Sequence, residues 1–138
     1  MKKIWVEKAA LCLFALMAVF VGIWAQFFPA SFYEDFPGFG MTWISIDGPY
    51  NVHLIGDVGG GYLAILVITL VALITGDRLL VRTTGVAWLV LEVPHAWYHL
   101  HHMNIYRSDI ESLLAVAPLP AFVLAALWLA VAGGRQSQ

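Results

Sequence analysis

Four apolar stretches, each about as long as a bilayer's hydrocarbon core is thick, leave this chain few ways to fold. A helix crossing that core needs roughly 20 apolar residues. Such segments run over about 6–28, 52–75, 80–102 and 110–132. Hydrophobic residues fill 61% of the 138 positions and charged residues only 12%, against roughly 25% charge in an average soluble domain. A soluble fold of this length cannot hide so much apolar surface, so lipid must solvate it. The expected fold class is all-α: a single integral membrane four-helix bundle spanning residues 1–138.

Local signals place the ends of these spans. Pro29 stops the first. Asn51 is a plausible N-cap for the second and Gly76 a plausible stop. Gly133-Gly134 ends the fourth. Pro94 within the third span, and Pro118 and Pro120 within the fourth, each remove an intrahelical hydrogen bond and are expected to kink their helices. Membrane helices tolerate this when neighbours satisfy the freed carbonyl. The start, Lys2 and Lys3 before a long apolar run, has the look of a signal peptide. The run from Ala9 to Phe28 is too long for one, and Ile23 stands where a cleavage site ending at Ala25 needs a small residue. An uncleaved first helix is expected.

Charge gives orientation. Lys2, Lys3, Lys8, Arg78, Arg82 and Arg135 fall on one side of the spans, and only Arg107 on the other. The positive-inside rule then puts both termini in the cytoplasm, N-in and C-in, for a multi-pass protein of the bacterial inner membrane. The outer side holds Glu34, Asp35, Asp47, Asp57, Asp109 and Glu111. All five histidines, His53, His95, His99, His101 and His102, also fall in the outer half. The net charge of −2 and the lack of a basic cluster argue against a nucleic-acid partner. The one cysteine, Cys12, excludes an internal disulfide, a CxxC redox pair and a cysteine-based zinc site.

The outer loop, 29–51, is rich in aromatics: Phe32, Tyr33, Phe36, Phe39, Trp43 and Tyr50. One reading is an interfacial aromatic belt. The other is a cap folded over the outer mouth, with turns at Pro37-Gly38, Gly40 and Asp47-Gly48-Pro49. The stretch 41–46 is too short to assign as a strand.

Chemistry concentrates at the end of the third span. Glu92, His95, His99 and His102 are spaced by three, four and three residues, which on a helix makes one stripe. On the second span His53 and Asp57 share a face, followed by Gly59, Gly60 and Gly61, which permit close approach of another helix. Ionisable groups inside a membrane usually face a bundle interior, a cavity or a partner. The first functional reading is a transition-metal site for Zn, Fe or Cu, with His53, Asp57, His95, His99 and His102 as ligands and Asp109 as a further candidate. Glu92-x-x-His95 has the di-iron spacing, but it occurs once where those bundles need it twice. The second is metal-free acid–base chemistry, with Glu92 and His95 as the catalytic or proton-relaying pair. The third is haem or quinone binding, with His53 and His99 as possible axial ligands. Against these stands a structural reading: Glu92 as interhelical glue and the histidines in the headgroup zone. A competing functional class is a non-catalytic accessory subunit or lipid- or ligand-binding module, self-associating or bound to a membrane partner.

The stretches Gly48-Pro-Tyr-Asn-Val-His-Leu-Ile-Gly-Asp57-Val-Gly and Pro94-His95-Ala-Trp-Tyr-His99-Leu-His-His resemble those of a group of small bacterial four-helix membrane proteins. In layout the chain resembles the DoxX-like families: four short-looped spans, polar residues at one end, both termini inside. These families include subunits associated with quinone-linked oxidoreductases. The resemblance therefore implies a possible accessory or redox role, an implication by fold analogy.

Overall fold

The computed structural model describes residues 2–133, and helices dominate it. The long first helix, α1 (Lys2–Phe27), is followed by a short α2 (Pro29–Asp35), with Pro29 at its first position. A minimal hairpin pairs β1 (Pro37–Gly38) antiparallel with β2 (Met41–Thr42), Pro37 opposite Thr42. The loop expected over 29–51 thus contains a helical turn and a two-residue ladder, and beyond Thr42 the 41–46 stretch forms no strand.

Helix α3 (Val52–Thr75) begins where Asn51 caps it: the Leu54 N–H donates to the Asn51 side-chain oxygen at 3.1 Å. It ends at Gly76, whose φ of 62° is the left-handed conformation open to glycine. One residue later Asp77 caps α4 (Arg78–His101), accepting from the Leu80 N–H at 3.0 Å. Pro94 lies inside α4 without ending it. A 3₁₀ turn (Met103–Ile105) leads to α5 (Asp109–Val116), capped by Ser108, and then to α6 (Leu119–Ala132). The fourth apolar stretch is therefore two helices, broken at Ala117–Pro118. Pro118 and Pro120 have no N–H to continue the ladder, and the Ala121 and Phe122 N–H groups both donate to the Pro118 carbonyl.

Among the described residues, three segments are long and apolar enough to cross a membrane: Ile4–Phe27, Val52–Thr75 and Asp109–Val131. Four were expected. α4, the third in the sequence reading, has the length, at 24 residues, but carries Arg78, Arg82, Glu92, His95, His99 and His101. Of the sequence signals for orientation and chain end, Arg135 and Gly134 lie outside the described residues.

Packing makes a ring of helices: α1 along α3, α4 along α6, with α3 meeting α4 and α1 meeting α6. The main core joins Leu11, Phe14 and Ala18 of α1, Ala72 of α3, Val81 and Trp88 of α4, and Ala126 and Leu129 of α6. Across its middle runs an aromatic layer drawn from all four helices. Phe14 stacks on Trp88 with ring centroids 4.5 Å apart, Phe122 lies 5.9 Å from Phe14, and Tyr62 meets Trp88 edge-on at 6.1 Å. Two glycines permit the close crossings. A Cβ at Gly59 would stand 2.5 Å from the Gln26 backbone nitrogen of α1, and one at Gly85 would strike the backbone of Ala130 and Ala126 in α6. A second, outer cluster packs Val21 and Ala25 of α1, Phe32 of α2 and Ile55 of α3 beneath Trp24, Phe36 and Ile44.

Candidate functional site

The site grows from the inward stripe of α4. Thr84, Trp88, Glu92 and Ala96 recur at four-residue steps and are all buried, so one line of side chains faces the bundle from end to end. Up to Trp88 the polar groups on this line are satisfied. The Thr84 hydroxyl donates to the Leu80 carbonyl at 2.8 Å. The Trp88 indole N–H donates to the Thr69 hydroxyl of α3 at 3.0 Å, and that hydroxyl donates to the Ile65 carbonyl at 2.7 Å.

Glu92 breaks the pattern. Its side chain is 1% exposed, and its Oε2 has no hydrogen-bond partner among the described residues. It lies one turn beyond the aromatic layer and close enough to Tyr62 for electrostatic interaction. A buried polar atom without a partner costs about 1–3 kcal/mol, and native structures hold few of them. That cost marks Glu92 as the group on this face that packing alone explains least.

Beyond Glu92 the histidines follow. His95 and His99 meet edge to face with centroids 4.4 Å apart. His95 is exposed, whereas Ala96 beside it remains buried on the inward line. The His99 Nδ1 hydrogen-bonds the Tyr106 hydroxyl at 2.5 Å. Tyr106 is itself buried and meets Trp43 of the outer loop edge-on at 5.9 Å. A second bridge runs from α4 to the loop: the Tyr98 hydroxyl donates to Asp47 Oδ1 at 2.5 Å. The loop therefore meets α4 directly at Tyr98 and indirectly through Tyr106, the arrangement of a cap. Burial first, then the Asp47 carboxylate and Tyr98, push the Tyr106 phenol up to about 12.

The remaining histidines have local partners. His101 Nδ1 bonds the Trp97 carbonyl and His102 Nδ1 bonds the Tyr98 carbonyl, each at 2.8 Å. A carbonyl only accepts, so in both rings Nδ1 carries the hydrogen. His101 lies against the Trp97 ring and His102 stacks on Tyr98, both with centroids 4.0 Å apart. These two rings satisfy the last carbonyls of α4.

The expected metal ligands are distributed over three places. His53 and Asp57 pair with each other at 3.5 Å on the face of α3, with side chains 87% and 64% exposed. His95 and His99 face one another on α4, and His102 turns back onto Tyr98. Asp109 sits exposed in the first turn of α5, where an acid suits the helix dipole. Among the described residues no group of three or more His, Cys, Asp or Glu side chains is placed to hold a metal ion. Of the pair considered for haem, His53 contacts Asp57 and His99 contacts Tyr106.

The structure adds residues that the stripe did not include: Asp47, Tyr62, Trp88, Tyr98 and Tyr106. Trp88 was within reach of sequence reasoning, since it precedes Glu92 by four residues on the same face. Tyr106 and Asp47 carry no periodic signal, because a 3₁₀ turn and a loop position them. No family model, curated protein or solved structure matches the chain.

Proposed function

We propose that this chain is a four-span integral membrane protein of the bacterial inner membrane, N-in and C-in, that exchanges protons between its outer face and the Glu92 carboxyl inside the bundle. The observation that carries this reading is Glu92 itself: a buried carboxyl oxygen without a hydrogen-bond partner among the described residues, on one helix face with His95 and His99. Those two imidazoles, then Tyr106, supply groups able to take and give a proton on the way to the loop. Below Glu92 the Phe14, Tyr62, Trp88 and Phe122 layer offers no titratable group other than Tyr62, so exchange is with the outer side. α4 serves as the fourth span because Glu92, the ionisable group in its middle, is buried among its neighbours, as ionisable residues in membranes usually are. The skewed distribution of Lys and Arg supports the orientation.

Infrared difference spectroscopy of the protein in bilayers, with outer pH varied, tests the reading. A protonated carboxyl C=O band that responds to pH and vanishes in Glu92→Gln is expected. A spectrum without any Glu92-dependent band across the folded range would reject it. Orientation is checked separately by membrane-impermeant labelling of Ser45→Cys in a Cys12→Ala background, which should react from the outer side of intact cells.

A second reading, a lipid-binding or accessory membrane module, draws on an apolar groove of about 560 Å³ between α4 and α5–α6, lined by Val93, Trp97, Leu100, Leu119, Val123 and Leu124. Stoichiometric lipid or a partner chain retained on purification, together with a silent Glu92, would favour it.

A further inference from the structure

We infer that a second copy of this chain docks along the exposed face of α3, with His53 of each copy facing Asp57 of the other. The inference rests on the proposed spanning topology and not on proton exchange.

Among the described residues α3 is the least enclosed of the three apolar spans. Of its most apolar stretch 17% is buried, against 44% for Ile4–Phe27 and 28% for Asp109–Val131. Its buried residues Ile55, Gly59 and Thr69 lie on one side. On the opposite side run His53, Asp57, Gly61, Ala64, Ile68 and Val71, all but Gly61 with side chains, and all exposed. From Asp57 onward the steps alternate four and three residues, the spacing of a heptad seam between two helices.

Depth makes the acid expensive. A helix of 24 residues is about 36 Å long, against a hydrocarbon core of about 30 Å. Centred in that core, α3 overhangs by about 3 Å at each end and holds the Asp57 backbone about 4 Å inside it. An aspartate side chain is too short to snorkel out, as Lys8 near the start of α1 can. Past Lys8, α1 carries no charged residue, and α6 carries none, so lipid suits the outer faces of those helices. It does not suit Asp57. His53 approaches the carboxylate at 3.5 Å from the same helix, yet the two side chains stay 87% and 64% exposed. One neighbour therefore covers little of either.

The chemistry of the pair selects what covers it. The face carries an acid and a base one turn apart, so it is complementary to itself. A two-fold axis sets the base of one copy against the acid of the other, and the reverse. Both copies insert in the same direction, so the axis stands along the membrane normal and the two α3 helices run parallel. Their His53–Asp57 ends then meet at one depth, where each carboxylate gains a second imidazole. Next along the seam, nothing among the described residues stands within 4 Å of the Cβ position of Gly61. Ala64 follows, and small residues of this kind let membrane helices approach closely. Ile68 and Val71 continue the seam toward the cytoplasm.

Single cysteines in a Cys12→Ala background, oxidised in native membranes, test this. Ala64→Cys and Ile68→Cys should form disulfide-linked dimers several-fold more than Val58→Cys and Leu70→Cys, which are also exposed but flank the seam. Charge supplies a second measurement, in two differently tagged chains that each carry Ala64→Cys. His53→Asp leaves two acids per copy and Asp57→His two imidazoles, so each variant alone should lose most of its cross-linking. Expressed together, they should regain it as the mixed dimer, which separates lost complementarity from misfolding. Equal cross-linking at seam and flanks, cross-links only to a different protein, undiminished cross-linking of either charge variant, or no recovery in the mixture would overturn the inference. Outer-side labelling of Ser45→Cys without a seam dimer overturns it alone; a chain that alkaline carbonate extracts from the membrane overturns the spanning topology as well.

Discussion

The Tyr98 hydroxyl of α4 donates a 2.5 Å hydrogen bond to the carboxylate of Asp47, 51 residues earlier in the chain, and so ties the outer loop to the helix that carries the histidines. Both residues are exposed, so the bond contributes less than a buried one and its main effect is on loop position. Tyr98→Phe should raise hydrogen exchange over 43–50 while leaving the helices protected. Unchanged exchange there would mean that the Trp43–Tyr106 contact holds the cap unaided.

Trp88 and Thr69 form a buried donor–acceptor pair between α4 and α3. Thr69→Val leaves the indole N–H unpaired and should cost about 1–3 kcal/mol. Trp88→Phe costs packing as well. The double variant should be less destabilised than the sum of the two single losses, because the stranded donor is gone. Unfolding titrations in mild detergent with added denaturing detergent give the three values, and strict additivity would show that the bond contributes nothing.

Glycine contacts separate two kinds of position. Gly85→Ala pushes a methyl into the backbone of Ala126 and Ala130 and should cost about 1–3 kcal/mol by overpacking. Gly61 has open space around its Cβ position, so Gly61→Ala should be neutral or stabilise by up to about 1 kcal/mol through helix propensity. Thermal unfolding of the two variants side by side decides it, and equal melting temperatures would refute the close crossing of α4 on α6.

Alkaline pH acts on Tyr106. Its phenol is raised from the ordinary value of 10.0 to about 12 by burial and then by Asp47 and Tyr98. A group raised in the folded state contributes stability that is complete below pH 10.0 and lost as pH climbs to about 12. Melting temperature should fall across that window in the wild type, and Tyr106→Phe should flatten the fall. An identical slope in the variant would assign the loss to other tyrosines.

His53 and Asp57 form an exposed pair apart from the α4 histidines. His53→Gln with Asp57→Asn should leave the pH response of Glu92 unchanged and cost at most about 1 kcal/mol. A shifted Glu92 infrared titration would show that the two faces communicate.

Periodicity made much of the site legible. The spacing of Glu92, His95 and His99 is a helical spacing, and α4 is a helix over that stretch. Asn51 and Gly76 marked the ends of α3 by the chemistry of capping. The turn residues of 29–51 allowed a cap, and the loop does reach α4 through Asp47 and Tyr98. The partners were not legible. Asp47 reaches Tyr98, and Trp43 reaches Tyr106, across more than 50 residues, and local pattern does not encode such pairings. The shared helical face of His53 and Asp57 was read correctly, but the helix rotation that exposes it depends on where Gly59 packs on Gln26.

By itself the sequence marked the long helical stretches, the Asn51 and Gly76 ends of α3, and the polar stripe on α4, because backbone hydrogen bonding and 3.6-residue periodicity are local. Tertiary structure decided which ionisable groups meet. Close packing at Gly59 and Gly85 and the four-helix aromatic layer set how each helix is turned. That rotation buries Glu92, brings Tyr106 to His99, and leaves His53 and Asp57 outside.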